Sequence, residues 1–122
     1  MSEDIDWDPV RALAAQVEAG ETLTLTSEVQ ELLLRTAREV GIPTPHAQAA
    51  VKEVGAATSL LREARARIRD GSIRLSFTER RARDLARAGD TAGARKLLEE
   101  LLAVEVVPLY REQVELALED LD

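Results

Sequence analysis

The sequence predicts an all-α fold of five helices, and three observations lead there. Trp7, Phe77 and Tyr110 are the only aromatic residues. The core must therefore come from Leu, Val, Ile and Ala, which suits closely approaching helices better than a sheet. Apolar positions recur at helical spacing over most of the chain, and Gly, Pro and short polar residues punctuate them as helix stops and starts. A length of 122 residues is enough for one modest core, so a single domain spanning 1–122 is expected, with 1–7 as a flexible N-terminus. The expected architecture is a long antiparallel helical hairpin, of about 58–88 and 91–120, with three shorter N-terminal helices packed on it.

Each element has a local reason. Asp8 followed by Pro9 reads as an N-cap with proline at the first helical position, and "VRALAAQVEAG" runs to a stop at Gly20. "ETLTLT" alternates polar and apolar residues but has no partner strand, so it reads as an extended connector. Thr26 or Ser27 caps the second helix, whose stripe is Val29, Leu32, Leu33, Thr36, Ala37 and Val40, with Gly41 as its stop. Thr44 and Pro45 repeat the cap-plus-proline device for a short third helix that stops near Gly55. Thr58 or Ser59 starts the fourth.

From Leu61 the inward positions are Leu61, Ala64, Ile68, Gly71, Leu75, Thr78, Ala82 and Leu85. They alternate steps of three and four, a heptad seam with soft spots at Gly71 and Thr78. Gly89 ends that helix and Asp90 caps the fifth, which carries Leu97, Leu98, Leu101, Val104, Val107, Tyr110, Val114 and Leu118. The expected core includes Leu13, Val17, Leu32, Leu33, Leu61, Ile68, Leu85, Leu97, Leu101, Val104, Tyr110 and Leu118.

The charge pattern narrows the function. The net charge is −7, distributed as −6 over residues 1–61, +6 over 62–96 and −7 over 97–122. An acidic total argues against a general binder of nucleic acid or anionic membrane, because phosphate attraction needs a positive surface. The basic and acidic segments pair instead as the two arms of the hairpin, with Arg62, Arg65, Arg69 and Arg74 near the acidic carboxyl-terminal half. Cysteine is absent, which excludes disulfides and thiolate chemistry. The start "MSEDIDWDPV" has no apolar leader core, and no apolar run is long enough to span a bilayer. The chain reads as a soluble cytoplasmic protein.

Catalytic signals are weak. His46 is the only histidine and sits in the first turn of a short helix, where a solvated surface residue is the plainer reading. A lone His without Cys makes neither a metal site nor a triad, and no Gly-rich phosphate loop is present. No catalytic, cofactor-binding or metal-ligating residue is assigned, no cofactor is expected, and the chain is read as a non-enzyme. "AREVGIPTPHAQAAVKE" has the cadence of a helix-turn-helix, which makes a DNA-binding regulator using residues 37–53 the alternative function. That helix would offer only His46, Gln48, Lys52 and Glu53 to bases. "LARAGDTAGARKLLEELL" looks like a tetratricopeptide helix pair, but a true repeat needs several copies and only one is found.

Pro108 falls inside "LLAVEVVPLYREQVELALEDLD". It cannot donate to the carbonyl of Val104 and its ring collides there, so the last helix should kink or restart around Val106. Either the bend packs Val107, Leu109 and Tyr110 on the N-terminal helices, or these residues form a docking knob. The packing reading is preferred. As candidate partner-binding residues the sequence offers Val107, Leu109 and Tyr110, together with Arg80, Arg83 and Arg87.

"DIDWDPVRALA", "LLRTAREV" and "AGDTAGARKLLEELLAVEVVPLYREQ", followed by an acidic end, resemble the DUSAM domain family, small paralogous proteins described from myxobacteria. The likeness covers essentially the whole chain, and "LAVEVVPLYR" is its most specific piece. The resemblance implies no catalytic or ligand residues, since the family's function is unknown. The expected function is a non-enzymatic protein-protein interaction or regulatory adaptor module, its partner another protein or a second copy of the chain.

Overall fold

The computed structural model describes residues 5–122, which form six α-helices and no strand. They divide into two compact units, at Arg67 and Ile68. The first contains helices α1 (Asp8–Glu18), α2 (Ser27–Glu39) and α3 (Thr44–Ala50). Helix α4 (Val54–Arg87) contributes residues 54–67 to the first unit and 68–87 to the second. The second unit is completed by α5 (Thr91–Val104) and α6 (Pro108–Asp120).

In the first unit Val10, Leu33, Val40, Leu60 and Leu61 are almost wholly withdrawn from water, each contributing about 1.5–3 kcal/mol of burial free energy. Polar groups that enter this core are satisfied. The Thr36 hydroxyl donates to the Leu32 carbonyl at 2.8 Å, and the Gln30 amide to the Val51 carbonyl at 2.9 Å. Arg67 donates to the carbonyl of Val40, which closes the end of α2. Gly41, at φ 81°, gives the chain the left-handed turn that follows.

Several starts differ from expectation by a few residues. Trp7, not Asp8, is the cap position of α1, and the Asp6 carboxylate accepts the Asp8 N–H. Trp7 is itself buried, with its indole N–H donating to Glu39. The expected flexible start therefore does not extend to Trp7, and residues 1–4 lie outside the described residues. Pro43 precedes α3 where Thr44 was expected to cap it. That helix ends at Ala50, and Gly55 belongs to the first turn of α4, which begins four residues ahead of Thr58. Thr26 caps α2 as expected, accepting the Val29 N–H at 3.1 Å.

The expected second arm of the hairpin, 91–120, is two helices. Asp90 caps α5 by accepting the Gly93 N–H at 2.8 Å. The helix then stops at Val104, residues 105–107 are extended, and Pro108 opens α6. The proline restarts a helix because its fixed φ and missing N–H suit a first turn. Val104, expected in the core, is 63% exposed because the chain leaves the helix there. Leu33, Leu61, Ile68, Leu101 and Tyr110 are buried as expected, whereas Leu13, Val17, Leu32, Leu85, Leu97 and Leu118 are half-buried.

Candidate functional site

The second unit is held by a knot of polar contacts at the α5–α6 junction. The Glu105 carboxylate is fully buried. Its Oε2 accepts the backbone N–H groups of Val106 at 3.0 Å and Val107 at 3.1 Å, and its Oε1 accepts from Arg74 at 3.3 Å. Arg111 reaches back to the carbonyls of Leu102 and Glu105 at 2.6 and 2.9 Å, occupying acceptors that the end of α5 leaves open. The Tyr110 hydroxyl donates to the Ile68 carbonyl at 2.9 Å, and the ring lies over Gly71. A Cβ at position 71 would stand 2.7 Å from Tyr110 Cδ2 and 3.2 Å from Glu105 Oε2. The soft spot in the seam is thus the seat of this ring.

This geometry separates the candidate partner-binding residues. Val107 and Tyr110 are buried and Leu109 is half-buried. The docking knob is corrected on this point: Val107 and Tyr110 are core side chains, and Tyr110 rests on α4. Of the four arginines expected to face the acidic carboxyl-terminal half, Arg74 pairs with Glu105, whereas Arg62 pairs with Glu18 and Arg69 with its neighbour Asp70.

Arg80, Arg83 and Arg87 remain on the surface. All three are exposed and make no ion pair among the described residues. The same helix, α4, exposes two residues that sequence reasoning missed. Ile73 and Phe77 are 62% and 58% exposed, one helical turn apart, on the face opposite Gly71, Leu75 and Ala82. The Arg81 guanidinium lies 5.8 Å from the centre of the Phe77 ring, within cation–π range. The signal was present in the sequence as two large apolar residues at i and i+4 on the wrong side of a heptad seam.

The outer face of α6 has the opposite character. Leu116 is 52% exposed, among Glu112, Glu115, Glu119 and Asp120, which are exposed and form no ion pair among the described residues. On the first unit, α3 has seven residues and exposes His46 and Gln48, with Lys52 in the turn beyond it and no Lys or Arg within it. His46 lines a groove with Ser59 and Glu63. Among the described residues no His, Cys, Asp and Glu side chains gather so as to hold a metal ion, and no helix is long and apolar enough to cross a membrane.

The junction coincides with "LAVEVVPLYR". No curated protein and no solved structure matches the chain. A family model matches residues 5–121, and the chain accordingly belongs to the family described as "Protein of unknown function (DUF2379)".

Proposed function

We propose that the chain is a non-enzymatic protein-protein interaction or regulatory adaptor module of the DUSAM type, working in the cytoplasm, and that the outer face of α4 is its binding surface. One observation carries this reading: Ile73 and Phe77 are exposed side by side on α4 with Arg80 and Arg81 one turn beyond Phe77, and Arg80, Arg83 and Arg87 make no ion pair among the described residues. Leaving two large apolar side chains in water gives up burial free energy of roughly 1.5–3 kcal/mol each. A partner that covers them recovers it, and apolar surface rimmed by charge is the usual character of such sites.

The test compares the parent with Ile73→Ser/Phe77→Ser as bait in native cytosol. A protein held by the parent and lost from the variant, with unchanged melting, is the expected result. Equal capture by both would remove the surface from consideration.

The second reading, a DNA-binding regulator using residues 37–53, is favoured by the turn at Gly41 and the burial of Ala37, Ala47 and Ala50. It lacks phosphate-binding cations on α3. Labelled duplex DNA titrated at low salt should show no saturable binding. Binding that weakens steeply with salt would establish the regulator instead.

A further inference from the structure

We infer that the partner of the α4 face is a second copy of the chain, which offers the acidic outer face of its α6. The inference rests on the reading of α4 as a binding surface and adds the occupant. Phe77 is followed at i+3 and i+4 by Arg80 and Arg81, and Leu116 is followed at i+3 and i+4 by Glu119 and Asp120. The offsets are the same and the charges opposite. Two helices lying side by side in the same direction, with Phe77 against Leu116, set Arg80 across from Asp120 and Arg81 across from Glu119, because positions at i+3 and i+4 fall on opposite sides of the facing residue.

Both anchors are exposed in the described structure, and Arg80, Glu119 and Asp120 have no ion pair among the described residues. Docking therefore breaks no salt bridge among the described residues. An α4 face meeting itself would instead set Arg80, Arg81, Arg83 and Arg87 against their own kind, and like charges across an interface are unfavourable. The contact joins two different faces and is heterologous. It leads to rings or open chains according to whether the rotation between copies closes.

Sedimentation velocity of the full chain tests this with four samples: the parent, Phe77→Ser, Leu116→Ser, and an equimolar mixture of the two variants. Both positions are on the surface, so the three proteins should melt alike. The parent should self-associate with rising concentration and dissociate with added salt. Each variant alone should sediment as a monomer. The mixture should give a one-to-one pair and nothing larger, because one intact α4 face meets one intact α6 face and the two remaining faces are the mutated ones.

Self-association of Leu116→Ser equal to that of the parent would overturn the inference in favour of an α4–α4 contact. A parent that stays monomeric at every concentration would also overturn it. In that case the reading of α4 still stands if Phe77→Ser loses a captured cytosolic protein, and fails with the inference if capture is unchanged.

Discussion

Replacing Gly71 by alanine should weaken the protein, although the same change inside a helix ordinarily strengthens it. The ordinary gain is about 0.5–1 kcal/mol, from the lower backbone entropy of alanine in the unfolded chain and its better helix propensity. Against it stands a new methyl group 2.7 Å and 2.8 Å from two carbons of the Tyr110 ring and 3.2 Å from Glu105 Oε2. The ring has little room to yield, because Tyr110 is buried and its hydroxyl is tied to the Ile68 carbonyl. Overpacking of this kind costs about 1–3 kcal/mol, and a ring pushed off its hydrogen bond loses about 1 kcal/mol more.

The balance is a net loss of about 1–3 kcal/mol, a fall of roughly 3–10 °C in the melting temperature of a chain this size. Thermal unfolding followed by far-UV circular dichroism reads it. Gly55→Ala is the matched control: there the new Cβ meets only the end of the exposed Glu53 side chain, and stability should be unchanged or rise by up to about 1 kcal/mol. In a Tyr110→Ala background Gly71→Ala should change from destabilising to mildly stabilising. A Gly71→Ala protein as stable as the parent would refute the reasoning.

The other perturbations separate fold from surface. Tyr110→Ala should destabilise by roughly 2–5 kcal/mol, the range for deleting a large core side chain, and a variant that melts like the parent would remove Tyr110 from the core. Glu105→Ala leaves two backbone N–H groups without their acceptor, one of them on the fully buried Val107. A loss of about 1–3 kcal/mol is expected in a chemical denaturation curve. Asp90→Ala should cost about 1 kcal/mol through the lost α5 cap. Phe77→Ser should move the melt by no more than about 0.5 kcal/mol, as surface changes do, and a larger shift would mean that the ring packs against something in the fold.

Local signals in the sequence reported local structure well. Thr26 and Asp90 cap the helices they were expected to cap, and Gly20, Gly41 and Gly89 all take positive φ at helix ends. Ile68, Leu75 and Ala82 from the heptad seam are buried. What failed to show was set at a distance. Gly71 looked like a weak point because its reason, the Tyr110 ring, lies 39 positions along the chain. Nothing local marks Glu105, since only the break after Val104 turns its carboxylate inward to Arg74 and the Val106 and Val107 amides.

At Pro108 the break was legible, since a kink or restart was expected around Val106, but its cap was not. Proline at a helix start was recognised at Pro9 and Pro45, where a short polar residue precedes it, but the acceptor near Pro108 is a glutamate three residues back. On the surface, Arg80, Arg83 and Arg87 were legible as a basic stripe. Ile73 and Phe77 were not, because a search for the buried seam passes over apolar residues on the opposite face.

Tyr110 is buried in the fold and Phe77 is exposed, and under the proposed function Phe77 meets a partner. Hydroxyl-radical footprinting reads both side chains at once, in dilute purified protein and in native cytosolic extract at matched radical dose. Tyr110 should be protected in both, and Phe77 should be modified in the dilute protein and protected in the extract. Phe77 modified equally in the two, or Tyr110 modified as readily as Phe77 in the dilute protein, would contradict this division of roles.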